Sequence, residues 1–251
     1  MKALIVIPSR YGSTRFEGKP LIDISGKSLV KRTYLQALKT NLDAKVIVAT
    51  DDERIFNHVS EFGLCMMTSE HHQSGTDRCF EVYEKLNENF DVLINLQGDE
   101  PFVHPQQIEQ LAQALSQSNC EIATLKKSIE KNEDLFNPNV VKVVNDGKAQ
   151  AIYFSRHAIP YCRGKAQDEW MQHHSYYRHI GLYGFRTSVI PELKNLKPTL
   201  LENMESLEQL RWLENRKIIH VVETHFMSPA IDSPEDLKVV NEFLKDNPEL
   251  I

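Results

Sequence analysis

The sequence predicts an α/β fold, a mostly parallel sheet with helices on both faces and a smaller lobe attached. Short β-branched apolar runs at 2–7, 45–49 and 91–96 read as buried strands. Between them, 28–40, 52–62 and 76–88 carry apolar residues at three- and four-residue spacing, as in Phe80, Val82, Tyr83 and Leu86, and read as amphipathic helices. Strand and helix therefore alternate, which implies right-handed crossovers and a parallel sheet.

Taken in order, the strands also locate the site. Ligands of such sheets bind beyond the carboxyl ends of the strands, so the segments after Ile7, Ala49 and Leu96 should share one crevice. These are "PSRYGSTR", "TDDERI" and "QGDEP". The second half differs. "VVKVV" (140–144), "AQAIYFS" (149–155) and "HIGLYGF" (179–185) are strand-like and lie closer together, with "NDG" at 145–147 as a tight-turn signal. Residues 160–178 are polar, aromatic-rich and without period, and read as a long loop over the site or at a subunit contact. No internal repeat is present.

A chain of 251 residues suits one large α/β domain, or a main domain with a smaller lobe. Hydrophobic residues at 41% and charged residues at 25% are those of a soluble globular protein, and no apolar run is long enough to span a bilayer. The apolar run Ala3–Ile7 is too short for a signal peptide, which leaves a first strand of a cytoplasmic protein. Cys65, Cys79, Cys120 and Cys162 form no C-x-x-C pair, so they suggest neither a zinc site nor a disulfide framework. The net charge of −6, with no long Lys/Arg run, argues against a nucleic-acid partner and favours a small anionic ligand.

The cationic loop supports that choice. Arg10, Arg15 and Lys19 crowd into one segment with Gly12 and Gly18, and three cations so close repel one another unless an anion lies among them. A P-loop is excluded, because five residues separate the two glycines and Lys19 is followed by Pro20 instead of a hydroxyl. The dinucleotide fingerprint G-x-G-x-x-G is absent too. A turn whose amides and cations cradle phosphates remains, against the alternative of a solvated basic loop.

Three further motifs each allow two readings. In "LINLQGDEPF" (93–102) a strand runs into Gln97, Gly98 and the adjacent acids Asp99 and Glu100. Those acids suit a magnesium site beside phosphates, or the start of the helix that follows. In "AIDSPEDL" (230–237), Ser233 with Pro234 can cap the last helix without any function, while Asp232 is not needed for the cap and pairs naturally with Asp99. In "HHQSGTDRCFEV" (71–82), Ser74, Gly75 and Thr76 open a helix ahead of Arg78, either as a base or phosphate contact or as a plain cap. The pairs His71-His72 and His173-His174 lack metal spacing and read as surface histidines.

Together "IPSRYGSTRFEGKPL", "VATDDERI", "SGTDR", "NLQGDEP", "YFSR", "HIGLYGF", "LEQLR" and "IDSPEDL", in this order, closely resemble the 3-deoxy-manno-octulosonate cytidylyltransferase family, from residue 3 to about 245. The resemblance implies a nucleotide-sugar-transferase, Rossmann-like fold and a cytoplasmic, homodimeric, Mg²⁺-dependent enzyme of lipopolysaccharide biosynthesis. Such an enzyme joins CMP from CTP to the sugar acid 3-deoxy-manno-octulosonate (Kdo) and releases pyrophosphate. It also implies that a lobe at about 126–190 contributes to the sugar site and the dimer contact.

Carried onto this chain, the resemblance sets Arg10, Arg15 and Lys19 on the triphosphate and Ser74, Arg78 and Gln97 around the nucleotide. Asp99 and Asp232 would hold magnesium, and Lys19, Arg15, Asp99 and Asp232 would carry the catalysis. Arg156, His179, Tyr183, Glu208 and Gln209 match the sugar-binding positions, with Arg156 or Arg10 a natural partner for the sugar carboxylate. One departure is Glu17, where the family more often has Pro; its side chain is expected to point outward. Rival readings are a cytidylyltransferase for sialic acid, a nucleotidyltransferase for a hexose 1-phosphate, a metal-dependent glycosyltransferase and a CTP sensor without turnover.

Overall fold

The computed structural model describes residues 1–12 and 16–250. The chain divides into two compact units, Met1–Ala112 with Phe226–Ile251, and Gln113–His225.

The first unit begins with β1 (Lys2–Ser9), two short strands, β2 (Asp23–Ile24) and β3 (Lys27–Ser28), and α1 (Leu29–Leu38). It continues with β4 (Asp43–Thr50), α2 (Glu53–Ser60), β5 (Cys65–Met67), α3 (Gly75–Leu86), β6 (Val92–Asn95) and α4 (Pro105–Ser116), whose last four residues are counted with the second unit. The second unit holds β7 (Ile122–Ser128), α5 (Asn132–Phe136), β8 (Lys142–Asn145), β9 (Ala151–Ser155), α6 (Trp170–His173) and β10 (Tyr177–Arg186). It ends with α7 (Ile190–Leu193), α8 (Leu200–Glu205), α9 (Gln209–Glu214) and β11 (Ile219–Glu223), after which α10 (Asp236–Asp246) returns to the first unit.

In the first unit the strands run in the order β6-β1-β4-β5, every pairing parallel. Ala3 to Ile7 have no exposed surface. A strand buried on both faces has no polar side to alternate with, which is why it reads as an unbroken apolar run. Side-chain caps start the helices: Ser28 Oγ accepts from the Lys31 amide, Asp52 Oδ1 from Arg54 and Ser74 Oγ from Asp77. The chain goes from β1 to β4 and β5 on one side and then crosses to β6 on the other, so β1 is the topological switch point.

The second unit is mostly antiparallel. β10 pairs with β7 and β8, and β8 with β9; β11 alone runs parallel to its neighbour, β7. The sequence signals assign no strand to β7 or β11. The "NDG" turn forms, but its left-handed residue is Ala149 (φ 58), not Gly147, because Asp146 accepts through Oδ1 from the amides of both Lys148 and Gln150 and lengthens the turn. The expected long loop at 160–178 contains a 3₁₀ turn at Gln167–Glu169, then α6, and leads into β10.

Trp170 explains that difference. It is 1% exposed at the centre of a cluster with Ile129, Leu135, Val140, Ala158 and Tyr176, and its Nε1 donates to the Lys165 carbonyl at 3.2 Å. A single buried aromatic orders the segment without leaving a period in the sequence. Trp170→Ala is expected to lower stability by about 3–5 kcal/mol, read by urea unfolding, as for other large-to-small core changes. A loss below about 1 kcal/mol would show that Trp170 does not anchor the segment.

Candidate active site

A cavity of about 220 Å³ opens at the carboxyl edge of the first unit's sheet. Its lining includes Pro8, Ser9 and Arg10 leaving β1, Gln97, Gly98 and Asp99 after β6, Gly75 and Arg78 from α3, and Lys19 and Asp232. The floor is backbone in close approach. A Cβ on Gly75 would lie 3.1 Å from Pro8 Cγ, and one on Gly98 would lie 2.7 Å from the Pro8 carbonyl oxygen and 3.1 Å from Ser9 Oγ. Glycine is required at 98 by contact with a rigid neighbour.

Two distant acids meet here. The Ile231 amide donates to the Asp99 carbonyl at 3.0 Å, and Ile231 is fully buried with Ile24, Leu29, Phe102, Val240 and Leu244. The next residue, Asp232, is thereby set beside Asp99. Lys19 Nζ lies 3.1 Å from Asp99 Oδ2 and 3.6 Å from Asp232 Oδ1, and donates to the Ile231 carbonyl at 2.8 Å. Gly18 turns the chain into Lys19 with φ 69, its amide donating to the Tyr11 carbonyl at 2.9 Å.

The expected Ser233–Pro234 cap does not form, and the helix starts at Asp236. Instead, Asp236 Oδ2 accepts from the amides of Asp232 and Ser233, each at 2.8 Å, and stiffens the Asp232 segment. Burial pushes the Asp236 carboxyl up, and those amides with the Ser233 hydroxyl outweigh it, holding the group below the usual range.

Arg78 is 1% exposed, with Nη2 on Asp51 Oδ2 at 2.7 Å and Nη1 on Thr68 Oγ1. Of the three segments expected to share the crevice, "TDDERI" thus reaches it only indirectly, through Asp51 on Arg78. Gln97 Nε2 donates to Asn95 Oδ1 at 3.2 Å, and Asn95 Nδ2 to Thr76 Oγ1 at 3.1 Å, which ties the turn to α3. Ser74 spends its hydroxyl on the α3 cap, and the adjacent Gly75 lines the cavity. Glu17 is exposed and lies outside the lining; Arg15 lies outside the described residues. His71, His173 and His174 are exposed, whereas His72 is partly buried against Glu81.

The acid pair suits one kind of metal. Among the described residues no group of three or more His, Cys, Asp or Glu gathers that could hold an ion by itself. Two carboxylates converging at a polar cavity fit Mg²⁺, which takes one or two protein carboxylates and keeps the rest of its shell for water and phosphate oxygens.

In the second unit, His179, Tyr183, Glu208 and Gln209 come together. The β10 register on β7 slips between Ile180, opposite Leu125, and Tyr183, opposite Thr124. Thr124 Oγ1 lies 3.2 Å from the Ile180 carbonyl, 2.8 Å from the Leu182 carbonyl and 2.8 Å from His179 Nε2. A hydroxyl has one proton and the carbonyls can only accept, so the proton goes to a carbonyl and His179 Nε2 donates to the hydroxyl. Nδ1 is then the nitrogen with the lone pair.

The His179 ring packs against Phe154 and Tyr183, and burial pushes its pKa down to about 3. Burial first, and the Glu208 carboxylate second, push the Tyr183 phenol up. Gln209 is 3% exposed and its Nε2 has no partner. Arg156, at the end of β9, rests its guanidinium on the carbonyls of Pro138, Glu205 and Ser206.

Sequence reasoning misses Ser9, Asp51 and Thr124. Ser9 is 3% exposed, lines the cavity, and its Oγ has no partner among the described residues. Its signal is its position, at the carboxyl end of the switch-point strand. Thr124 has none, because a bulge is not periodic.

A parallel sheet with a cationic cavity and an acid pair at its switch point defines a nucleotidyltransferase. A family model described as cytidylyltransferase matches residues 4–219. The chain is 50% identical over 249 residues to the 3-deoxy-manno-octulosonate cytidylyltransferase of Parabacteroides distasonis, covering 97% of this chain and 98% of that one. With the enzyme of the same name from Cytophaga hutchinsonii it shares 50% identity, over 92% and 93% of the two chains. It matches the structure of CMP:2-keto-3-deoxy-manno-octonic acid synthetase complexed with CTP at TM-score 0.91 and 39% identity, covering 98% of this chain and 100% of that one. The chain belongs to the 3-deoxy-manno-octulosonate cytidylyltransferase family.

Gly98→Ala is expected to cost about 1–3 kcal/mol by overpacking, read by urea unfolding, since backbone cannot swing aside. Stability within about 0.5 kcal/mol of the parent would show that the floor yields. His179 binds a proton more readily unfolded than folded, so its burial makes stability fall as pH drops from about 6.5 towards 3, by up to about 1.4 kcal/mol per pH unit. His179→Gln should remove that component. Equal acid sensitivity in parent and variant would contradict a buried neutral ring.

Proposed function

We propose that the chain joins CMP from CTP to Kdo, releasing pyrophosphate and giving CMP-Kdo for lipopolysaccharide biosynthesis, as a cytoplasmic homodimer that uses Mg²⁺. The observation that carries the reading is Lys19 held by Asp99 and Asp232 in a cavity bordered by Arg10 and Arg78, in a chain of this family. No helix among the described residues is long and apolar enough to cross a membrane.

The anomeric hydroxyl of Kdo attacks the α-phosphate of CTP in line, the new P–O bond forms as the hydroxyl proton passes to solvent, and the bond to pyrophosphate breaks. Negative charge grows on the leaving oxygens. Lys19 and Arg10 supply positive charge to meet it, with Lys19 fixed in advance by three oxygen partners so that little reorganisation is needed. Asp99 and Asp232 would hold Mg²⁺, which when bound neutralises phosphate charge and stabilises the leaving group. Burial favours the neutral His179 ring, whose Nδ1 lone pair can accept from a sugar hydroxyl.

Pyrophosphate release is measured with CTP and Mg²⁺ and with Kdo, sialic acid or glucose 1-phosphate in parallel. Release with Kdo alone is expected; release only with another sugar would overturn the substrate, and silence throughout the enzyme. Asp99→Asn and Asp232→Asn should each lower kcat by about 10²–10³ with folding intact. Normal turnover in either would remove the metal assignment. Lys19→Ala should act mainly on kcat, and a change confined to the Kdo dependence would move Lys19 to the sugar subsite.

A further inference from the structure

The peptide of Arg156 is gripped by two buried or half-buried charges. Its amide donates to Glu205 Oε2 at 2.9 Å, and its carbonyl accepts from Lys142 Nζ. Glu205 Oε1 also accepts from Ser155 Oγ at 2.7 Å. Lys142 has no exposed surface, and its ammonium is shared with the carbonyls of Val140 at 2.6 Å and Asn137 at 2.9 Å. Burial pushes Lys142 down to about 8, while Glu205 opposes the fall and Arg156 adds to it. Charged groups are seldom buried so fully, and an apolar residue at 142 would leave three carbonyls without this donor.

The guanidinium is fixed as well. Nε donates to the Glu205 carbonyl at 2.7 Å, Nη1 to Pro138 at 3.2 Å and Nη2 to Ser206 at 3.4 Å. A guanidinium has five N–H groups, so one remains on each terminal nitrogen. Two parallel donors on a planar fork match the two oxygens of a carboxylate.

We propose that Lys142 and Glu205 are positioning residues for the sugar acid, holding the Arg156 peptide from both sides so that its two remaining N–H groups meet the carboxylate of the substrate. The proposal rests on the reading of Arg156 as a sugar-acid residue. Neither Lys142 nor Glu205 touches substrate; both act through Arg156.

The test is steady-state kinetics of the full chain with Lys142→Met, Glu205→Gln, Arg156→Ala and the double variant Lys142→Met/Arg156→Ala. Lys142→Met and Glu205→Gln should each raise the KM for Kdo about tenfold or more, as expected for a displaced charge-assisted contact, while the KM for CTP stays within about twofold. In the Arg156→Ala background Lys142→Met should add nothing, because the contact it aims is already gone. With the carboxamide analogue of Kdo, parent and variants should converge. If Arg156→Ala leaves the KM for Kdo unchanged, the underlying reading of Arg156 fails. If Arg156→Ala raises it and the other single variants do not, or if the effects simply multiply, the positioning role is wrong. Should Lys142→Met not fold, judged by its melting transition and CTP binding, Glu205→Gln and Glu205→Gln/Arg156→Ala decide on the same terms.

Discussion

The hydrogen bond from the Ile231 amide to the Asp99 carbonyl is the constraint on which the first unit's site depends. Asp99 and Asp232 belong to segments far apart in the chain, and two carboxylates brought together without compensation repel. Apolar burial does the joining: Ile231 is fully buried in a cluster that includes Ile24, Leu29, Phe102, Val240 and Leu244. The backbone bond then fixes the register, and the Lys19 ammonium offsets the charge of both acids. Non-directional burial thus supplies the free energy, while a directional bond and a cation turn it into a defined arrangement of oxygens.

The second unit reaches its geometry through irregular backbone. A bulge in β10 turns His179 and Tyr183 relative to β7, and the Thr124 hydroxyl lies against the two carbonyls at the bulge, with one proton to give. At the end of α8, Ser206 adopts φ 51 and leads directly into Glu208 and Gln209. The Arg156 guanidinium rests on carbonyls, while the Glu205 carboxylate holds its backbone amide.

The parallel half of the fold is legible in the sequence because its signals are local. Runs such as Ala3–Ile7 mark a strand buried on both faces, and the residues following β1 and β6 line the cavity as the switch-point rule requires. Asp232 is legible because it is superfluous to helix capping, although the cap itself is built differently, by Asp236. What is illegible depends on contacts between distant residues. Asp51 acts through Arg78, Trp170 orders a segment with no period, and Lys142, read as part of an apolar strand, ends in three carbonyls. None of these has a spacing to detect.

Two buried polar atoms show where the fold gives up stability. Among the described residues Ser9 Oγ and Gln209 Nε2 are enclosed and have no partner, one at the cavity of the first unit and the other next to Glu208 in the second. An unsatisfied buried group costs about 1–3 kcal/mol, so a chain shaped by stability alone would favour an apolar side chain at both positions. Arg156 differs: the contacts of its terminal nitrogens to Pro138 and Ser206 lie at the surface, where water satisfies the two remaining N–H groups.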